Sequence, residues 1–220
     1  WGHGMVTALA RIAGRPVGIF ANNPHHLGGA IDPDAADKGA RFMQLCNAHG
    51  IPLLSLCDTP GFMVGPEVER QAQVRHACRL FVTASHLQVP VFCVVVRKGY
   101  GLGAQAMAVG GFDAPVFTVS WPTGEFGGMG LEGAVRLGYR KELEAAEASG
   151  GSAARDALYQ QLVAQQYERG TAINMATTLE IDAVIDPADT RAWLLRGLDG
   201  VGAVRAAGSG PAPARFVDVW

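Results

Sequence analysis

The sequence predicts an α/β fold with parallel central strands, on two observations. Apolar runs alternate with helix-like segments along the 220 residues, and none reaches the ~18 residues of a membrane span. In addition, one strand–turn–helix unit occurs twice at equal length. Pro52 to Gly61 covers nine positions, and Pro90 to Gly99 covers nine. Each time a hydrophobic–proline pair leads into an apolar strand, a glycine turn and a helix. Stacked units of this kind put both turns at the same strand ends, where α/β ligand sites collect.

Taken in order, Arg15–Asn22 reads as a short buried strand and Asn23–Gly29 as a loop. Asp32 is placed to cap a helix, with Pro33 at its first position and Gly50 past its end. Ile51–Asp58 is the next strand, followed by a turn-rich loop from Thr59 to Pro66. A helix is expected from Glu67 to Ser85, with Val74, Ala77, Cys78, Phe81 and Val82 on its apolar face. The run from Val89 ends in Arg97-Lys98 and passes through Gly99-Tyr100-Gly101-Leu102-Gly103 into a small-residue helix. Pro115–Trp121 is a further strand, and Pro122–Gly133 a glycine-rich loop. Helices are expected over Val135–Ala148, Ala153–Glu168 and Thr171–Thr178. A short strand follows at Ile181–Ile185, and a last helix from Asp186 to about Leu198. Residues 1–200 form one domain in this reading, and 201–220 a mobile Gly/Ala/Pro-rich tail.

Formal net charge is −2 and the basic residues are scattered, so no nucleic-acid or membrane partner is expected. Cys46, Cys57, Cys78 and Cys93 form no CxxC pair; they read as buried free thiols, and no metal is expected. His25 and His26 are adjacent, without a third ligand at metal spacing, and His76 and His86 lie ten apart. The chain begins at Trp1 rather than Met, which suggests a fragment.

The glycine turn suits an anion. Glycines let the backbone bend and let a ligand approach the peptide groups. The first amides of a helix lack intrahelical partners. Gly99-x-Gly101-x-x-Ala104 also fits the dinucleotide fingerprint, but Ser120-Trp121 stand where that fingerprint expects a ribose-binding acid. A purely structural turn is the third reading.

Four stretches carry a family resemblance. Phe20-Ala21-Asn22-Asn23-Pro24 comes first, followed by Gly29–Asp32 and Ala36-Asp37-Lys38. Asp58-Thr59-Pro60-Gly61-Phe62, Arg97-Lys98-Gly99-Tyr100-Gly101 and Ile185-Asp186-Pro187 with Thr190-Arg191 complete the set. Over about residues 9–200 the chain resembles the C-terminal half of the carboxyltransferase β subunit of biotin-dependent acyl-CoA carboxylases. The resemblance implies the crotonase-like (ClpP/crotonase) fold, a spiral of ββα units. Trp121-Pro122-Thr123-Gly124-Glu125 is similar to the Pro-Glu loop of crotonases.

The activity so implied is transfer of CO2 from carboxybiotin to the α carbon of an acyl-CoA. In the family one oxyanion hole holds the thioester, in the N-terminal half. A second, made of two consecutive amides in the C-terminal half, holds the ureido oxygen of biotin. Ungapped alignment from Arg97-Lys98 puts those amides on Leu102 and Gly103. The family usually has Gly-Gly-Ala after the aromatic, so Ala104 is the alternative partner to Gly103. Gly61, Phe62, Tyr100, Gly101 and Gln105 are the further residues implied to line the biotin or acyl pocket. Gln105 falls where the family has a residue associated with acyl-chain selectivity; a capping or surface role is its alternative.

Biotin on a carrier domain or subunit is the implied cofactor, and acyl-CoA the substrate. Implied partners are the biotin carboxyl carrier protein, biotin carboxylase and the N-terminal carboxyltransferase half. A homo-oligomer, dimer or trimer of dimers, is implied, in the cytoplasm or the mitochondrial matrix. A biotin-dependent decarboxylase and a non-catalytic assembly domain stand as alternatives. Asp58 reads as a turn-fixing residue rather than a catalytic acid. Arg97 and Lys98 suit either steering an anion or pairing with carboxylates such as Glu125.

Overall fold

The computed structural model describes residues 1–207. Its centre is a seven-stranded sheet in the order β1-β2-β3-β4-β5-β7, with β6 pairing β4 beside that path. β1 (Met5–Ile12) and β2 (Arg15–Asn22) form an antiparallel hairpin. Its two-residue turn, Ala13-Gly14, has positive φ at both positions, as tight hairpin turns require. β1 is an addition to the sequence reading. β3 (Leu53–Thr59), β4 (Val91–Tyr100) and β5 (Phe117–Ser120) continue from β2 in parallel, as the repeated unit predicts.

Alternating residues of the central strands serve two cores. Leu53, Cys57, Val91, Cys93 and Val95 face one cluster, shared with the helices that connect the strands. Leu54, Phe92, Val94 and Val119 face the other, together with Leu194 and Leu198. Both faces of the sheet are thus covered, which is why the parallel strands read as continuous apolar runs.

α1 (Pro33–Ala48) starts where the sequence predicts: the Asp32 carboxylate accepts from Ala35 N–H at 2.8 Å, and Gly50 follows the helix at φ +65°. The predicted helix from Glu67 to Ser85 is two helices, α2 (Pro66–Arg70) and α3 (Gln73–Ser85), separated by Ala72 in the left-handed region. Its inward face also differs. Gln73, Ala77, Arg79, Leu80 and Thr83 are buried, while Val74, Cys78 and Val82 are exposed. The reason lies 39 to 42 residues away in sequence. Arg79 and His76 pair with the buried Asp37 of α1, and Gln73 donates to Ile31 O.

After β4 comes α4 (Gly101–Met107). The glycine-rich loop contains a short strand, β6 (Glu125–Gly127), in register with Lys98–Tyr100. α5 (Leu131–Gly138) and α6 (Arg140–Arg169) follow; α6 is broken at Gly151, near the predicted gap between two helices. α7 (Ala172–Thr177), β7 (Ala183–Val184) and α8 (Thr190–Ala207) complete the chain. α8 runs beyond Leu198, and the rest of the predicted tail, 208–220, lies outside the described residues.

Cys46, Cys57 and Cys93 are buried as expected, but Cys78 is exposed. Burial pushes the Cys46 thiol up to about 11 and the Cys93 thiol up to about 12. Since thiolate is the nucleophile, Cys78 is expected to react with a disulfide reagent at pH 8 at least tenfold faster than the other three. Thiol counting in native and denatured protein checks this; three or four fast thiols in the native state would contradict it.

Candidate functional site

Strand ends build the site. β3 and β4 are paired residue for residue up to Cys57 and Val95, and pairing resumes at Thr59 and Gly99. Across that interval β4 carries two more residues than β3. The Asp58 carboxylate closes the gap. It accepts from Lys98 N–H at 3.2 Å and from the Arg97 guanidinium through Nε and Nη2, at 3.2 and 3.1 Å. Asp58 N–H in turn donates to Asn22 Oδ1 at 3.0 Å, so β2, β3 and β4 are joined at their C-terminal ends.

Asp58 therefore acts on the neighbouring strand rather than on its own turn. The Thr59–Gly61 turn is held by the Thr59 hydroxyl, which bonds Gly61 N–H and Gly61 O, both at 3.1 Å. Arg97 does pair with a carboxylate, but with Asp58 rather than the Glu125 offered as an example. Hydrogen bonding to that carboxylate holds the guanidinium firmly protonated. Lys98 Nζ donates to Gly28 O.

Glu125 is taken by another group: the Tyr100 hydroxyl donates to its Oε2 at 2.9 Å. Tyr100 is buried, and burial followed by the Glu125 carboxylate raises its phenol well above the usual range. A raised folded-state pKa means stability that is complete below the unfolded value of about 10 and lost as pH rises beyond it. Tyr100→Phe is expected to cost about 1.5–3 kcal/mol at pH 7, by stranding the carboxylate, and to flatten the alkaline fall in stability. Urea unfolding from pH 7 to 11 measures both; identical curves for the two proteins would count against the bond.

The two glycine turns touch. A Cβ on Gly103 would lie 2.7 Å from Gly61 Cα and carbonyl carbon and 3.1 Å from Phe62 N. Gly101 has φ +56°, and a Cβ there would lie 2.6 Å from Gly128 O. Both positions require glycine for backbone contact. Gly61 O accepts from Ile31 N–H, and the Phe62 ring packs against Phe81 at 6.3 Å. Leu102 projects outward, 64% exposed, while Gly103 and Ala104 are buried. The N-cap carbonyl of a helix accepts the first intrahelical bond, from the fourth helical residue. In α4 that pairs Tyr100 with Ala104, leaving the Gly101, Leu102 and Gly103 amides without intrahelical acceptors.

Beside the turn lies a cavity of about 370 Å³, lined on one side by Gly99, Gly101 and Gln105. Phe112, Phe126, Gly170 and Met175 are among its other lining residues, none of which the sequence reading singled out. For Phe126 the only signal in sequence was the concentration of glycines in 124–133; Phe112, Gly170 and Met175 had none. Among the remaining predicted positions, His26 Nε2 bonds the Asp32 carboxylate at 2.9 Å. Trp121 Nε1 donates to Thr190 Oγ1 at 3.0 Å, tying the end of β5 to α8.

Parallel strands whose ends present two touching glycine turns, one of them opening a helix, fit the crotonase-like fold that the resemblance implies. Comparison with known proteins makes this specific. The model of the carboxyl transferase domain matches residues 1–199, and the chain belongs to that family. It is 38% identical over 194 residues to the carboxyltransferase subunit of propionyl-CoA carboxylase from Haloferax mediterranei, covering 88% of this chain and 36% of that one. A single-chain, multi-domain long-chain acyl-CoA carboxylase is 57% identical, with TM-score 0.79 over 89% of this chain and 19% of that one. The transcarboxylase 12S structure, a hexamer with methylmalonyl-CoA bound, is 34% identical, with TM-score 0.83. It aligns with 98% of this chain and 40% of its own. The chain thus spans less than half the length of these relatives. Among the described residues no helix is long and apolar enough to cross a membrane.

Proposed function

We propose that this chain is the biotin-facing half of an acyl-CoA carboxyltransferase, with the Leu102 and Gly103 amides as its oxyanion hole. The observation that carries the reading is the helix start at Gly101, locked against the Gly61 turn through Gly103. The residues suit the ureido group of biotin. The donors are N–H groups alone, which fit an oxygen gaining negative charge, and their position is set by backbone contacts rather than by mobile side chains. Bound carboxybiotin would supply the carboxyl group. The protein's part is to hold the ureido oxygen as charge collects on it, worth about 2.7–4 kcal/mol per preset donor.

Ala104 N–H is the weaker candidate for the second donor, because helix geometry commits it to Tyr100 O. Gly61 and Phe62 form the facing wall, and Gln105 borders the adjoining cavity. The buried Tyr100 supports the turn through Glu125. The thioester half of the site, the biotin carrier and the biotin carboxylase would come from other domains or subunits, within an oligomer.

The chain alone is accordingly expected to show little or no carboxyl transfer. Paired with an N-terminal carboxyltransferase half, it should move labelled carboxyl from carboxybiotin onto an acyl-CoA. Label in no acyl-CoA across a panel of chain lengths would reject the proposal.

A further inference from the structure

We infer that Tyr167 and Glu132 are positioning residues for the oxyanion hole: their hydrogen bond fixes the glycine loop on which the start of α4 rests. This rests on the carboxyltransferase reading and adds to it two residues that act through that loop. Gly101 lies so close to Gly128 that a Cβ would come within 2.6 Å of Gly128 O. The place of that carbonyl therefore sets where α4 can begin. The loop that carries it has little of its own to hold it. A Cβ at Gly128 or Gly130 would meet nothing within 4 Å among the described residues, and Met129 is exposed. Gly130 also opens α5 without a side-chain cap. The loop is held by what anchors its two ends.

Upstream is β6, which pairs with Lys98–Tyr100 and whose Glu125 takes the Tyr100 hydroxyl. Phe126 N–H donates to Gly170 O at 2.7 Å, and Ala172 N–H to Gly124 O at 3.1 Å, so the end of α6 is fixed to β6. Downstream, Leu131 is buried and Glu132 stands in the first turn of α5. Glu132 Oε1 accepts from the hydroxyl of Tyr167, in the last turn of α6, at 2.7 Å. These contacts close a ring from β6 through the glycine loop, α5, Tyr167 and the end of α6 back to β6. Within the ring, Glu132–Tyr167 is a link between side chains, removable without cutting the backbone. The Tyr167 phenol is pushed up to about 12, first by its bond to Glu132, then by burial and by the charges of Glu132 and Glu125. The same bond keeps Glu132 below its ordinary value, so it stays the acceptor. Tyr167 and Glu132 also add to the rise of the Tyr100 phenol, so the two phenol–carboxylate pairs are neighbours.

The test compares wild type, Tyr167→Phe, Glu132→Ala and the double variant in the complete enzyme. Each variant is expected to lower kcat for carboxyl transfer about 10- to 100-fold, the scale of loss when a group is misplaced by about 1 Å. KM for the acyl-CoA should change less than about twofold, and the urea midpoint should hold. The double variant should lose no more than either single one, because all three break one bond. Without any ligand, amide exchange should quicken at least about tenfold at Ala134, which donates to Gly130 O, and at Ala104, which closes the first turn of α4. Tyr159→Phe is the control: it lies on the same helix with its ring 5.2 Å from the Arg136 guanidinium, and should match wild type. Unchanged kcat in Tyr167→Phe and Glu132→Ala, unchanged exchange at both amides, or a fall in kcat matched by a fall in the urea midpoint would overturn the inference while leaving carboxyl transfer intact. A wild-type enzyme that transfers nothing would overturn both.

Discussion

Gly103→Ala is expected to lower carboxyl transfer by the complete enzyme two to three orders of magnitude. The added Cβ would lie 2.7 Å from two backbone atoms of Gly61, and backbone cannot swing aside as the end of a side chain can. Either the Thr59–Phe62 turn or the start of α4 must move, and the two donors lose their preset aim. Loss of one such donor typically costs 10²–10³ in kcat. Leu102→Pro makes a complementary test. Proline is tolerated in the first turn of a helix and removes the N–H itself. Leu102→Ala keeps the N–H and trims an outward side chain, so its loss should be far smaller than that of Leu102→Pro. Equal rates for the proline and alanine variants would remove Leu102 N–H from the oxyanion hole. Steady-state kinetics with saturating acyl-CoA reads the effect as kcat.

Asp37→Ala is expected to be the most destabilising single change, at about 3–5 kcal/mol. Asp37 is 6% exposed and receives both Arg79 and His76 from α3. Its removal takes the carboxylate acceptor from the buried Arg79 guanidinium and from His76 and unfastens α1 from α3, two of the helices that cover one sheet face. The exposed Arg140–Glu144 pair on α6 is the natural control. An i,i+4 surface pair is worth only a few tenths of a kcal/mol, so Glu144→Ala should barely move the urea midpoint. Similar midpoints for Asp37→Ala and Glu144→Ala would contradict the argument.

These two residues also mark what was legible in the sequence. The Gly103 turn was readable because strand, glycine turn and helix are local signals, repeated at fixed spacing. The Asp32 cap and Pro33 were local in the same way. The inward face of α3 was not. Periodicity assigns Arg79 and Gln73 to solvent, and only the fold brings Asp37 and Ile31 O to them. β1 was missed because an edge strand with exposed Val6 and Leu9 lacks a clean alternation. β6 is three residues within a glycine-rich loop, defined only by its register with Lys98–Tyr100. Asp58 was not named as the partner of Arg97, and Glu125 was offered instead, for a related reason. Sequence shows which charges exist, but not that a buried phenol, Tyr100, claims one carboxylate first.

The unequal stretch between Cys57–Thr59 and Val95–Gly99 bears on how the domain tolerates change. Two surplus residues in one strand act as a spacer that sets how far its turn projects past its neighbour's. A substitution at Val96 changes a half-buried side chain and one at Arg97 takes two donors from the Asp58 carboxylate, but a deletion there would also draw the turn back along the sheet and break its contact with Gly61. In this stretch chain length is under tighter constraint than residue identity. Redesign of such a domain for other acceptors should therefore keep the count of residues between Val95 and Gly99, together with the Arg97–Asp58 pair, and vary the rest.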